Sequence, residues 1–212
     1  MVRSPLIGIN RHRIGIDGQG VTTLVGFHGC PLHCRYCLNP QCKRADGIKL
    51  YMTPKELIEA VRQDELYFLA TGGGITFGGG EPLLHADFIA SFCRQMPSGW
   101  RITIETCLAV PEKMLELVLP VVDEYLIDVK DMNAVTYQAY TKCDNIFLNN
   151  NLQRLIENGK QDCCILRIPH IPGFNTTDDV EQSRLTLEKM GFSRFDTFDY
   201  MTDIPQDKQQ IE

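Results

Sequence analysis

The sequence predicts a single-domain α/β protein whose strands form a partial (β/α)6 barrel. Two observations support this fold class. Six short apolar or β-branched runs alternate with stretches of helical periodicity, which is typical of parallel β/α units. The polar and glycine-rich segments follow the ends of these runs, where the active sites of α/β folds form. The same alternation also fits an open doubly wound sheet, so the pattern alone leaves two arrangements.

Length and charge limit the number of domains and the classes of partner that the sequence predicts. Its 212 residues suffice for one domain with a sizeable core, so we predict one domain over residues 1–212. A formal net charge of −6 gives no general attraction to nucleic acid or to an anionic membrane. No apolar run approaches the ~20 residues that a membrane span needs. The first ten residues show no signal peptide, and we predict a cytoplasmic protein.

The predicted elements follow one another in a regular order. The strands are expected at 22–28, 75–77, 101–105, 125–129, 163–168 and 195–200. The later helices are expected at 86–96, 111–119, 134–139, 150–157 and 180–190. The first helix begins after Thr53, which can cap it in a capping box with Glu56. Its buried stripe is predicted to consist of Leu57, Ile58, Val61, Leu66 and Leu69.

Three cysteines are concentrated in one predicted loop, residues 29–44. Cys30, Cys34 and Cys37 have the spacing C-x3-C-x2-C, Cys42 follows closely, and the other five of nine cysteines are scattered along the chain. An odd number at uneven spacing does not indicate a disulfide framework. Thiolates suit iron–sulfur clusters and zinc. Because an ordinary four-iron cluster takes four cysteines, three ligands would leave one iron free for another molecule.

Two other interpretations of this loop remain. Cys42 could act as the fourth ligand of a structural zinc site, although zinc sites usually contain paired C-x2-C units. The three thiols could also be unrelated buried side chains. Loops with Gly29, Pro31 and Pro40 rarely bury several thiols without a ligand, which disfavours that interpretation.

The spacing, together with Tyr36 before the last cysteine, resembles the signature of the radical S-adenosylmethionine (SAM) enzymes. The resemblance implies that Cys30, Cys34 and Cys37 ligate a [4Fe-4S] cluster. It also implies that the fourth iron binds the amino and carboxylate groups of SAM. Cleavage of SAM would then give a 5′-deoxyadenosyl radical, which abstracts a hydrogen atom from the substrate.

Residues 72–84, with the run Gly78-Gly79-Gly80-Glu81-Pro82, resemble a second family segment. It is similar to that of the activating enzymes of glycyl radical enzymes, such as pyruvate formate-lyase. There it contacts the methionine amino group, and glycines allow such close backbone approach. The resemblance implies a glycyl radical enzyme as partner, a reductant such as flavodoxin or ferredoxin, and a monomer. No eight-cysteine ferredoxin insertion is found.

Polar residues at the later strand ends match the same family. The resemblance assigns cofactor binding to Tyr36, Asn39, Gly79, Gly80, Glu81, Glu105, Thr106, Asp128, Lys130, Arg167 and Met201. Lys130 is also grouped with the cysteines as catalytic. Glu105, Thr106 and Asp128 match positions that bind a monovalent cation. Asp128 and Lys130, two apart on a strand, would share one face, but each could also be an exposed strand end.

Two departures from the family concern the end of the chain and its start. Met201 stands where the family has a histidine that contacts the adenosyl group, and a polar tail, 203–212, follows. Gln19 replaces a family proline.

Two alternatives to an activating enzyme stay open. One is a radical SAM enzyme that acts on a small molecule or peptide, and the other is a non-enzymatic zinc or iron–sulfur protein.

Overall fold

The computed structural model describes residues 2–202, so the predicted tail 203–212 lies outside the described residues. The strands are β1 Ser4–Ile14, β2 Val21–Phe27, β3 Leu50–Met52, β4 Gly74–Gly79, β5 Arg101–Thr106, β6 Glu124–Asp128, β7 Cys164–His170 and β8 Phe195–Asp199. The α-helices are α1 Pro54–Val61, α2 Glu65–Thr71, α3 Ala86–Cys93, α4 Glu112–Glu116, α5 Ala134–Thr141, α6 Ile146–Glu157 and α7 Thr177–Lys189.

All eight strands belong to one sheet, in the order β3-β1-β2-β4-β5-β6-β7-β8. The six strands β2, β4, β5, β6, β7 and β8 are parallel and lie in chain order. β3 and β8 are the two edges of the described sheet, so the barrel is open. The predicted single-domain α/β fold, a partial (β/α)6 barrel, is confirmed, and each predicted strand lies within about two residues of the observed bounds.

Two antiparallel strands, β1 and β3, extend the sheet beyond the predicted six. The first half of β1 is largely buried, but its second half carries the polar run Arg11, His12 and Arg13. β3 is only three residues long. Neither strand therefore shows the sustained apolar alternation from which a strand is predicted.

Alternate residues of the parallel strands pack with the helices in one buried core. The strand members are Val25, Phe27, Ile75, Phe77, Ile102, Ile104, Tyr125, Ile127, Leu166 and Ile168. The intervening residues lie on the opposite face, and many are polar. The β1–β2 turn covers the start of this face, because Thr76 donates a hydrogen bond of 2.5 Å to the Asp17 carbonyl. Beyond that turn the polar face is partly exposed.

The first predicted helix is correct at its start and wrong along its length. Thr53 and Glu56 form the predicted capping box. A short 3-10 segment, Arg62–Asp64, then divides α1 from α2 and changes the helical phase. Leu66 and Leu69 are consequently 76% and 56% exposed rather than part of the buried stripe. The break is stabilised by Asp64, whose buried carboxylate accepts hydrogen bonds from Arg11 and Thr23.

The remaining predicted helices are all present, with differences at their ends. α6 begins four residues earlier than predicted because the Asp144 side chain accepts a hydrogen bond from the Ile146 amide. α4 is shorter than predicted, since the chain after Glu116 continues as turns. Among residues 2–202, none of the helices has the length and apolar character that crossing a bilayer requires.

Candidate active site

The carboxyl ends of β2, β4, β5, β6 and β7 bring the predicted site residues to one edge of the sheet. The cysteine loop follows β2, and Gly79 ends β4. Thr106 and Asp128 are the last residues of β5 and β6. Because parallel strands end on the same side, segments far apart in sequence meet at this edge.

The cysteine loop is fixed to its surroundings by backbone hydrogen bonds. The Gly29 amide donates to the Cys42 carbonyl at 2.7 Å and so joins the two ends of the loop. The His33 amide donates to the Thr141 carbonyl at the end of α5, at 2.8 Å. Leu32 and Cys42 are buried. Backbone hydrogen bonds thus hold the loop at both ends and at its middle, and its three other cysteines are only partly buried.

The three predicted ligands differ in their electrostatic surroundings. A hydrogen bond with Cys107 lowers the pKa of Cys30, and one with Cys42 lowers the pKa of Cys37 to about 6. Burial raises the pKa of Cys34 to about 11. Since the thiolate is the form that binds iron, Cys30 and Cys37 are already favoured as ligands, whereas Cys34 would lose its proton on binding.

Each of two predicted ligands therefore has a second cysteine beside it. Cys42 is beside Cys37, and Cys107, which was not predicted as a site residue, is beside Cys30. The only sequence signal for Cys107 is its place directly after Thr106. Within residues 2–202, no three His, Cys, Asp or Glu side chains are arranged to hold a single metal ion. A four-iron cluster does not need that arrangement, because each thiolate binds a different iron.

The Gly79–Glu81 segment lies directly against the cysteine loop. The Gly80 amide donates to the Phe27 carbonyl at 2.9 Å, and the Glu81 amide donates to the Gly29 carbonyl at 2.8 Å. A Cβ on Gly80 would lie 2.1 Å from the Gly29 oxygen, so only glycine fits there. Asn39 donates from Nδ2 to the Gly79 carbonyl at 3.0 Å. The two predicted binding segments thus form one rigid unit.

The Glu81 carboxylate is completely buried and fully engaged by the protein. Its Oε1 accepts from the Leu83 amide at 3.0 Å and from the Thr106 hydroxyl at 2.7 Å. Its Oε2 accepts from the Cys107 amide at 2.8 Å and from the Cys107 thiol at 2.9 Å. The side chain therefore joins the end of β4 to the end of β5, and a cofactor could reach Glu81 only through its backbone.

Glu105, Asp128 and Arg167 meet on the polar face of the sheet. Arg167 Nη1 lies 2.9 Å from Glu105 Oε1 and 4.0 Å from Asp128 Oδ1. Its Nε lies 3.8 Å from Asp196 Oδ2 on β8. The structure does not bring Thr106 to this group, because its hydroxyl is bonded to Glu81. Two of the three predicted cation positions are therefore adjacent, with a guanidinium between them.

The Glu105 carboxyl should make stability depend on pH. Burial raises its pKa to about 7, partly offset by Arg167 and reinforced by Asp17 and Asp128. Because the pKa of Glu105 is higher in the folded than in the unfolded state, the folded state binds this proton more tightly. The resulting contribution to the free energy of unfolding is complete below the unfolded pKa and is lost as pH rises through 7. Between pH 5.5 and 8, we expect the free energy of unfolding of the wild type to fall by about 2 kcal/mol relative to that of Glu105→Gln.

Chemical denaturation of both proteins at several pH values measures this difference. The matched control is Glu116→Gln, at an exposed position on α4. A difference between wild type and Glu105→Gln that stays constant with pH would contradict the assigned pKa.

Asp128 and Lys130 converge, although not as neighbours on a strand. β6 ends at Asp128, and Lys130 adopts a left-handed backbone with φ of 66°. Its Nζ lies 3.0 Å from Asp128 Oδ2 and 5.6 Å from the centre of the Tyr200 ring. Burial opposes the charge, but Asp128 and Tyr200 raise the pKa of Lys130 well above its ordinary value. Asp128 therefore favours the charged form of this ammonium at the strand edge.

An aromatic group borders this edge on the side of β7 and β8. Tyr36 packs against Phe174 and Tyr140, and Tyr140 packs against Tyr200. Cys34 packs against the same group. Met201 is 66% exposed and follows directly after it. Tyr36 thus belongs to an aromatic group that also contacts the predicted ligand Cys34, whereas Met201 lies at the exposed edge of this group.

The comparison with known protein families agrees with this geometry. The sequence profile of the Radical SAM superfamily matches residues 24–184, from β2 into α7. The chain belongs to the radical SAM superfamily.

Activating enzymes are among the relatives of this radical SAM protein. The (2S)-3-sulfopropanediol dehydratase activating enzyme of Klebsiella oxytoca is 37% identical over 246 aligned positions, which cover 87% of this chain and 76% of that enzyme. The pyruvate formate-lyase 2-activating enzyme of Escherichia coli K12 is 29% identical over 212 positions, covering 86% and 72%. The expected membership of this group is confirmed.

Solved structures support the same fold. SuiB of Streptococcus suis bound to S-adenosylmethionine matches with a TM-score of 0.65 at 13% identity, covering 86% of this chain and 43% of SuiB. The structure of anSMEcpe with bound AdoMet matches with a TM-score of 0.57 at 15% identity, covering 82% and 49%. This radical SAM protein spans less than half of either chain, and the likeness shows the fold alone.

The residues present fit the cofactors that the family implies. The donor set for the cluster would be three thiols in one fixed loop, two of which have a lowered pKa. The adjacent Gly79–Gly80 backbone leaves no Cβ between the loop and the strand edge. Lys130 and Arg167 provide cationic groups at the same edge, and Glu105 and Asp128 provide acceptors. Such a set can bind an amino acid and hydroxyl groups beside a cluster.

Proposed function

We propose that this protein is the activating enzyme of a glycyl radical enzyme. When bound, a reduced [4Fe-4S] cluster supplies the electron that cleaves SAM to methionine and a 5′-deoxyadenosyl radical, which takes a hydrogen atom from a glycine of the partner. The observation that carries the proposal is the three-cysteine loop locked to Gly79–Glu81, in a chain 37% identical to an activating enzyme.

The protein's own residues hold and orient the cofactors in this proposal. Cys30, Cys34 and Cys37 bind three irons and leave the fourth without a thiolate from the chain. Asn39 fixes the Gly79 carbonyl, so the glycine backbone is positioned before SAM arrives.

Charged groups on β5 and β7 and at the end of β6 would bind the polar ends of SAM. Lys130 and Arg167 are suited to a carboxylate, and Asp128 and Glu105 to an ammonium or to ribose hydroxyl groups. Tyr36 would border the adenosyl group, with Met201 at the rim. Glu81 acts by positioning, because its carboxylate has no free acceptor direction toward the strand edge.

The finer predictions of the resemblance belong to the same proposal. A monovalent cation would bind at Glu105 and Asp128, with Thr106 contributing only through its backbone, since its hydroxyl is engaged. A flavodoxin or ferredoxin would supply the electron. The enzyme would act as a monomer in the cytoplasm, and the open side of the barrel would admit a loop of the partner.

Electron paramagnetic resonance tests the proposal. The anaerobically reconstituted protein, with SAM, reductant and a candidate glycyl radical enzyme, should produce a glycyl doublet on that enzyme. A partner whose radical glycine is replaced with alanine is the matched control and should give no doublet. Turnover of a small molecule or peptide without a doublet on any partner would reject the proposal. Zinc instead of iron in the purified protein would reject radical chemistry altogether.

A further inference from the structure

Lys43 is a charged residue in the cysteine loop for which neither the sequence motifs nor the proposed function gives a role. It directly follows Cys42, at the end of the 3-10 segment Pro40–Lys43. Its Nζ atom is buried and has no hydrogen-bond partner among the described residues. A lysine usually extends its ammonium to water, so a buried and unpaired Nζ requires an explanation.

The surroundings of the Lys43 ammonium include the thiols whose pKa its charge lowers. The Lys43 charge acts on Cys30 and Cys37, two predicted cluster ligands, and on Cys42 and Cys143. Cys143 follows α5 and donates to the Pro31 carbonyl at 3.5 Å. The buried ammonium is therefore close enough to these thiols to act on two predicted cluster ligands.

An anionic cofactor would resolve the unpaired charge. A four-iron cluster with three thiolate ligands is negatively charged, and its negative charge increases when it takes up an electron. A fixed cation at short range and in low dielectric stabilises the more negative, reduced form most strongly. The reduction potential of such a cluster is set by net charge and local polarity.

We propose that Lys43 is a positioning residue whose buried ammonium is the counter-charge of the cluster and raises its reduction potential. The inference rests on the proposed function, because it needs the cluster. It concerns how readily the protein accepts the electron, which nothing in the cysteine or glycine motifs specifies.

Spectroscopic redox titration of the anaerobically reconstituted protein tests this role. In Lys43→Met, the ratio of reduced to oxidised cluster at a fixed potential should fall about tenfold, which for one electron is a lowering of 59 mV. Lys43→Arg should keep the wild-type ratio, because it keeps the charge. Lys55→Met, which removes an exposed lysine on α1, is the matched control and should leave the ratio unchanged.

The remaining outcomes separate this role from a merely structural one. Loss of iron from Lys43→Met but not from Lys43→Arg would support the counter-charge, since arginine keeps the positive charge that methionine removes. An unchanged ratio in Lys43→Met, an equal fall in Lys43→Arg, or loss of iron from both would overturn it. In each of these cases a wild-type cluster that still cleaves SAM would leave the proposed function intact.

Discussion

Replacing Cys34 with alanine is expected to remove the cluster and abolish SAM cleavage. Burial raises the pKa of the Cys34 thiol to about 11, whereas the pKa values of Cys30 and Cys37 are lowered. Cys30 and Cys37 have Cys107 and Cys42 beside them, and these could substitute as ligands. Cys34 is instead bordered by the aromatic group of Tyr36, Tyr140 and Phe174. Iron and sulfide content, with the yield of 5′-deoxyadenosine, measures the loss.

Cys42→Ala is the matched control for this prediction. Cys42 lies in the same loop and is fully buried, but the family signature does not include it. We expect this variant to retain four irons and to cleave SAM. Loss of the metal from Cys42→Ala would instead favour a four-cysteine site, such as the structural zinc site that the spacing left open.

Replacing Glu81 with alanine is expected to lower the free energy of unfolding by roughly 3 kcal/mol or more. The substitution leaves the Leu83 and Cys107 amides and the Thr106 hydroxyl without their acceptor in the core. It also releases the contact between the ends of β4 and β5. Chemical denaturation of the anaerobic protein measures the effect.

Two variants make this second prediction specific. Glu59→Ala, at an exposed position of α1, should change stability little. Glu81→Gln should destabilise less than alanine, because the amide oxygen can still accept some of the hydrogen bonds. If Glu81→Ala kept full stability but bound SAM weakly, the side chain would face the cofactor, and the buried arrangement would be wrong.

The main elements of the fold could be predicted because their physical signals are local. Most of the parallel strands are short apolar or β-branched runs, and the capping box of α1 is visible as Thr53 and Glu56. β1 could not be predicted, since its exposed half is polar and its pairing with β2 is a long-range effect. The break between α1 and α2 depends on Asp64 meeting Arg11, which no local pattern reveals.

In the candidate site, too, the local motifs could be predicted, whereas contacts between residues far apart in sequence could not. The cysteine spacing and the glycine run identify the segments, and strand polarity brings them to one edge. The direction of the Glu81 side chain could not be predicted, because its partners, Thr106 and Cys107, are 25 and 26 residues away at the end of β5. The burial of Lys43 Nζ is equally invisible in the sequence.

The spectrum of the reduced cluster, recorded with and without SAM, shows whether the three cysteines of the loop leave one iron open to the cofactor. Anaerobic protein should contain four irons per chain, and SAM should shift the electron paramagnetic resonance signal of the reduced cluster. A four-iron cluster whose signal SAM leaves unchanged would contradict the account, as would a protein that assembles no cluster at all.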